Sequence, residues 1–147
     1  MQLTRAADYA VRVMIHLATL PPGTRVSRED LASAADVPKH FLSKVLQDLG
    51  RAHLIAAQRG STGGYMLAAA PEQVSLLRVV EAIEGPIQLN VCMIGGVGCN
   101  RQDWCPAHTV WAEAQAALTR VLRNASIAKL ARQAAQPGRK EVVNLWN

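Results

Sequence analysis

The stretch that decides the fold runs from Ser27 to Tyr65 and reads SREDLASAADVPKHFLSKVLQDLGRAHLIAAQRGSTGGY. Ser27 stands before Arg28, Glu29 and Asp30 as an N-cap with acids in the first turn. Its hydroxyl can satisfy a free helix-start N–H, and the carboxylates meet the positive end of the helix dipole. Leu31, Ala32 and Ala35 then make a short helix, which Asp36-Val37-Pro38 breaks. Proline suits the first turn of a new helix, because its fixed φ is helical and its missing N–H is not needed there. In that helix Phe41, Leu42, Val45, Leu46 and Leu49 give a buried stripe, while Lys39, His40, Ser43, Lys44 and Gln47 face away. After His53 the period changes to that of a hairpin. Leu54-Ile55-Ala56-Ala57-Gln58 is one strand, Arg59-Gly60-Ser61-Thr62-Gly63-Gly64 the turn, and Tyr65-Met66-Leu67 the return strand.

Upstream, Ala10, Val11, Met14, Leu17 and Ala18 fall at amphipathic spacing behind a capping Thr4, and Pro21-Pro22-Gly23 ends the helix near Leu20. Three helices followed by a basic Gly-rich hairpin is the element order of a winged helix-turn-helix, whose third helix enters the major groove of DNA. The expected fold is therefore mainly α, with a β-hairpin wing and a long C-terminal dimerisation helix. Residues 1–70 form the DNA-binding region, and residues 71–106 a connecting helix and a three-cysteine loop. Residues 107–135 form the dimerisation and final helices, and residues 136–147 a tail. Within that division, Val74 to Glu84 is a helix with Leu76, Leu77, Val80 and Ile83 inward, ended by Gly85-Pro86. From Ala107 to Asn124, Trp111, Ala114, Leu118 and Val121 recur at helical spacing with Leu122 alongside, and Ser126 opens a last helix through Lys129 and Leu130. The tail from Gln136 reads as loosely held, with Val142, Val143, Leu145 and Trp146 available to dock.

The 147 residues suit one domain of ordinary size with an extension, and 50% hydrophobic against 18% charged residues argues for a packed core over disorder. A net charge of +5 suits an anionic partner without identifying it. Its distribution says more: residues 1–69 hold eight basic and five acidic side chains, residues 70–106 two and four, and residues 107–147 six and two. Arg12, His16 and Arg78 interrupt the longest apolar runs, well short of the roughly 18 residues that a membrane span requires. The start, Met1 to Asp8, lacks the basic, apolar and small-residue blocks of an export signal, so a cytoplasmic location is expected. Three cysteines cannot all pair within one chain, which disfavours a disulfide scaffold.

Those cysteines carry the chemistry. Cys92, Cys99 and Cys105, with six and five residues between them, are followed by His108 after two more, all around a loop containing Gly95, Gly96 and Gly98. Soft thiolates favour zinc, copper or an iron–sulfur cluster. The paired two-to-four spacing usual in structural zinc sites is absent, so a cluster is favoured over zinc. Free cysteines are also common as small buried hydrophobes, but a polar Gly-rich loop is a poor place for three of them. His108 is either a helix-start residue in water or a fourth ligand. On the DNA side, Arg28, Lys39 and Lys44 would contact phosphates, and His40 and Ser43 would face base edges. Arg59, with Gly60 and Ser61 beside it, would enter the minor groove. A helix-turn-helix reads two half-sites as a dimer, which makes the stripe of Trp111, Ala114, Leu118, Val121 and Leu122 the natural two-fold seam.

These features together resemble the IscR/NsrR family of dimeric winged-helix regulators. The resemblance rests on Met1-Gln2-Leu3-Thr4 with Asp8-Tyr9-Ala10, on the wing Arg59 to Tyr65, on Val79-Val80-Glu81-Ala82-Ile83-Glu84-Gly85, and on the cysteine loop. It spans about residues 1–135. It implies a transcription factor, not an enzyme, that holds an iron–sulfur cluster on Cys92, Cys99 and Cys105 and adjusts its DNA affinity to cluster state. Some members of the family lack the cysteines and sense by other means. The resemblance offers two fourth ligands: Asp8 from the other protomer, completing a [4Fe-4S] cluster, or His108, completing a [2Fe-2S] cluster. The first is favoured, because the N-terminal match is the more NsrR-like. The interval from Cys92 to Cys99 is one residue longer than the usual five, which glycines in the loop can absorb.

The expected function is thus transcriptional regulation by repression at a double-stranded DNA operator, under control of nitric oxide, redox state or iron status. The alternative is a cluster-free regulator of the same fold, switched by thiol oxidation or a protein partner. A metal-binding enzyme is the weakest reading. Glu84 and Asp103 are the only acids around the loop, and no nucleophile–base or paired-carboxylate arrangement is visible.

Overall fold

Hydroxyl caps set the starts of four helices in the computed structural model, which describes residues 2–94 and 99–136. Thr4 accepts from the Ala7 N–H and opens α1, Arg5–Thr19; Ser27 accepts from the Asp30 N–H and opens α2, Arg28–Ala34. Pro38 stands before α3, Lys39–Arg51, and the chain then forms an antiparallel hairpin of β1, Ile55–Gln58, and β2, Gly64–Leu67. Ser75 caps α4, Leu76–Glu84; Cys105 precedes α5, Pro106–Asn124; and Ser126 caps α6, Ile127–Ala134. The mainly helical winged helix-turn-helix expected from the sequence is the observed fold.

The core forms around α1. Its Val13, Met14 and Leu17 pack with Leu31 of α2, Leu42, Val45 and Leu49 of α3, and Leu54, Val74, Val79 and Ile127. Full burial of a side chain such as Leu42 stabilises the fold by about 1.5–3 kcal/mol relative to exposure. A second apolar group joins Ala7, Leu77, Val80 and Ile87, with Leu118 and Leu122 of α5 against it. After α5 the chain returns: Ile127 donates its N–H to Val74, Leu76 to Ala125, and α6 lies on α1.

The hairpin depends on two glycines. A Cβ at Gly63 would stand 2.2 Å from the Gln58 carbonyl oxygen, and one at Gly64 would stand 2.7 Å from that of Val26. Gly64 also has φ 149, a conformation side chains disfavour. Only glycine lets the wing pass so close to the strand-like segment at Val26, which exchanges hydrogen bonds with Tyr65 at 3.0 and 2.9 Å. Asp36 turns between α2 and α3 at φ 51, a conformation aspartate tolerates better than most residues.

Several details differ from the sequence reading. Phe41 is exposed, not part of the buried stripe; its ring centre is 5.4 Å from that of Tyr9 and 4.4 Å from that of His40. Val11, Ala18, Leu76 and Ile83 are half-buried, while Ala7, Tyr9, Val13 and Val79 are buried. The reading of Gly95, Gly96 and Gly98 as a flexible wrap, and of Val142, Val143, Leu145 and Trp146 as docking residues, lies outside the described residues.

Candidate nucleic-acid interface and cysteine loop

Every residue assigned from sequence to DNA contact reaches the surface. Lys39, His40, Ser43 and Lys44 occupy one exposed face of α3, because the opposite face is committed to Leu42, Val45, Leu46 and Leu49. Arg28, Arg59, Gly60 and Ser61 are exposed as well. Arg28 at the start of α2 and Arg59 and Gly60 of the wing are brought together around an open cleft of about 420 Å³, which Ser27, Gln58 and Tyr65 also line. An exposed cleft flanked by two guanidinium groups suits a phosphate backbone.

Sequence reasoning missed an acidic residue in this surface. Asp48 on α3 accepts from Lys44 Nζ at 2.8 and 3.1 Å and from Arg51 Nη1 at 3.1 Å. Its side chain is only 12% exposed, whereas those of Lys44 and Arg51 are 67% and 64% exposed. The i,i+4 and i,i+3 spacings of the three residues were the available signal.

The N-terminal region forms a second network. Arg12 binds Asp8 at 2.8 Å and Asp36 at 3.3 Å, and its guanidinium lies 5.8 Å from the centre of the Tyr9 ring. Glu84 accepts from both the N–H and hydroxyl of Thr4, at 2.9 and 2.6 Å, tying the start of α1 to the end of α4. Asp8, a fourth-ligand candidate, is therefore an exposed carboxylate already paired within its own chain.

The three thiols are free and half-buried. Cys92 lies in a single 3-10 turn, Val91–Met93, capped by Asn90, whose side-chain oxygen accepts from the Val91 N–H at 2.8 Å. Cys99 accepts a backbone hydrogen bond from Gln102, and Cys105 ends the loop at the first turn of α5. One turn into α5, His108 has a buried Nδ1 with no hydrogen-bond partner among the described residues. A buried imidazole nitrogen without a partner is costly unless something unseen satisfies it. Among the described residues, no three His, Cys, Asp or Glu side chains converge on one metal-sized point. The donor chemistry, three thiols and an imidazole, fits a soft metal centre.

The α5 helix has no buried residue along its length. Leu118 and Leu122 turn inward against the second apolar group, so part of the expected two-fold seam is used within the chain. Trp111, Ala114 and Val121 are exposed, and Val110, absent from the sequence assignment, joins them at 63% exposure. Among the described residues, no helix is long and apolar enough to cross a membrane.

The family model for Rrf2, described as an iron-dependent transcriptional regulator, matches residues 3–133. The HTH-type transcriptional regulator NsrR of Geobacillus kaustophilus is 33% identical over 131 residues, covering 88% of this chain and 89% of that protein. The HTH-type regulator IscR of Aliivibrio salmonicida is 27% identical over 130 residues, covering 88% and 77% respectively. Among solved structures, CymR of B. subtilis, named as its global cysteine regulator, superposes with a TM-score of 0.74 at 22% identity. That match covers 90% of this chain and 98% of CymR, and at such identity it speaks for the fold alone.

Proposed function

This chain belongs to the Rrf2 family of DNA-binding transcriptional regulators, and from that premise we propose that it is a homodimeric repressor controlled by an iron–sulfur cluster on Cys92, Cys99 and Cys105. The observation that carries the cluster reading is a buried His108 Nδ1 with no hydrogen-bond partner among the described residues, three positions along the chain from Cys105, one of three free, half-buried thiols. When bound, the cluster would supply redox- and nitric-oxide-sensitive iron coordination. The residues of this chain supply the rest.

Lys39, Lys44, Arg28 and Arg59 hold the operator backbone and the minor groove, and His40 and Ser43 face the bases. Trp111, Ala114 and Val121, with Val110, present the apolar face on which two copies meet; Leu118 and Leu122 hold α5 to its own core. Held on one cluster, the thiols would tie the loop to the start of α5, so that a change at the loop would shift the spacing of two recognition helices carried on a shared axis. The orphaned Nδ1 favours His108, and with it a [2Fe-2S] cluster. The [4Fe-4S] reading requires Asp8 to leave Arg12 and reach the other protomer. Cytoplasmic residence follows from the DNA partner.

The test is anaerobic purification with visible spectroscopy, iron counting by native mass spectrometry, and operator binding before and after cluster loss. Replacement of any one of the three cysteines by Ala should abolish the visible absorption. Two irons with His108 dependence support the [2Fe-2S] site, and four irons with Asp8 dependence support the other. A colourless wild type holding stoichiometric zinc overturns the cluster reading and leaves the thiol-switch alternative.

A further inference from the structure

Between α4 and Cys92 the chain forms a short strap whose anchors can each be named. Gly85 turns it at φ 77, Ile87 is buried against Ala7, Leu77 and Val80, and Asn90 caps the turn that carries Cys92. The remaining anchor is a side chain of α5. Gln115 donates from Nε2 to the Ile87 carbonyl at 2.8 Å, and its Oε1 accepts from the Leu89 N–H at 2.8 Å. One amide thus takes the place of a strand neighbour for the strap. Both bonds are part-buried and span 28 and 26 residues of sequence.

Position gives this contact its meaning. Gln115 is seven residues beyond His108, two helical turns along the same face of α5, and ten beyond Cys105. The strap it holds reaches Cys92 three residues after Leu89. The loop therefore has one limb rooted in α5 covalently, at Cys105, and the other fastened to α5 by this amide. We propose that Gln115 is a positioning residue for the cysteine site: it fixes the Cys92 limb to the helix that carries Cys105 and His108. This rests on the cluster reading above for its ligand, but not for its geometry.

A primary amide is suited to the role because it offers a donor and an acceptor side by side, matching the adjacent C=O and N–H of a strap backbone. Methionine fills similar space and can do neither. Glutamate keeps the acceptor for Leu89 but has no donor for Ile87 when ionised.

The experiment uses the full chain in three forms: wild type, Gln115→Met and Gln115→Glu, each checked for unchanged helix content and melting. In the reduced, metal-free proteins, hydrogen exchange at the Leu89 amide and iodoacetamide alkylation of each cysteine are followed by mass spectrometry. Loss of two net hydrogen bonds in Gln115→Met should raise Leu89 exchange and Cys92 alkylation, relative to Cys105, by roughly tenfold. Gln115→Glu should keep Leu89 protected and show a smaller rise. After anaerobic reconstitution with ferrous iron and sulfide, the visible absorption of Gln115→Met should decay several-fold faster than that of wild type.

Unchanged Leu89 exchange and Cys92 selectivity in Gln115→Met overturn the proposal. So does equal cluster lifetime in the two proteins when the wild type takes up iron and sulfide. A wild type that takes up neither defeats the cluster reading only, and the alkylation pattern then decides whether Gln115 fastens the Cys92 limb.

Discussion

The proposed recognition helix α3 and the long helix α5 both turn a broad face to solvent, yet they do so for opposite reasons. On α3 the inner face is filled by Leu42, Val45, Leu46 and Leu49, and what remains outside is Lys39, His40, Ser43 and Lys44. That surface is stable in water and complementary to a polyanion. On α5 the exposed residues include the apolar Val110, Trp111, Ala114 and Val121, and its contacts with the rest of the chain include Leu118, Leu122 and the two hydrogen bonds of Gln115. That surface is satisfied only by covering. The same helical period therefore encodes one element placed by its own core and another whose exposed apolar arc is the proposed meeting face of two copies.

The sharpest test of this contrast is a pair of truncations. Leu42→Ala should destabilise the folded chain by about 2–5 kcal/mol, since it removes a fully buried side chain from a close-packed core. Val121→Ala should change the unfolding free energy of isolated protomers by less than about 0.5 kcal/mol, since the side chain is 63% exposed. Denaturant melts across a protein dilution series separate the two. Val121→Glu extends the test, because at the proposed two-fold seam a buried carboxylate would meet its own copy. Its dimer should weaken by at least about 2 kcal/mol, roughly thirtyfold, with the melting of the protomer unchanged. A Val121→Glu protein that sediments as a dimer like the wild type would remove α5 from the interface and end the contrast.

How much of this was legible in the sequence follows the same division. Thr4, Ser27, Ser75 and Ser126 announce helix starts because capping is a local hydrogen bond, readable from a few neighbouring residues. The wing was readable for a similar reason: Gly63 and Gly64 stand where no Cβ fits. Periodicity then gave the apolar arc of α5 but not its division between partners, so Leu118 and Leu122 were grouped with Trp111 and Val121 although they face the chain's own core. Phe41 failed for a related reason. It lies at the edge of an apolar stripe and packs at a tilt against Tyr9, which belongs to a helix about thirty residues earlier. Of the cysteine loop, the candidate donors come from the sequence spacing alone, whereas Gln115 carries no signal until the strap opposite it is seen.

Within the DNA surface a smaller comparison applies, between a cation with no ion-pair partner among the described contacts and one already engaged. Arg59→Ala should weaken operator binding by about 1–3 kcal/mol if the guanidinium lies in a narrow minor groove, and should do so more for the operator than for unrelated DNA. Equal loss on both, measured by titration at fixed salt, would reduce Arg59 to a phosphate contact. Unchanged affinity and salt response would remove the wing from the interface.

Lys44 is the engaged case, and the expected effects are the smallest. Its ammonium and the Arg51 guanidinium share the Asp48 carboxylate, so the three groups carry a single net positive charge. Each phosphate neutralised contributes a slope of about 0.9 to the fall of log K with log salt. An isolated cation would change that slope by nearly this amount when removed; Lys44→Ala should change it by less, because Asp48 already offsets part of the charge. Asp48→Asn leaves both cations and removes the offset. It should therefore tighten binding to all DNA sequences alike and steepen the salt dependence by no more than about one unit. The opposite result is also informative in a definite way. If Asp48→Asn weakens operator binding at every salt concentration, the half-buried carboxylate acts by orienting Lys44 and Arg51, and the ordered ion pair outweighs the charge it cancels.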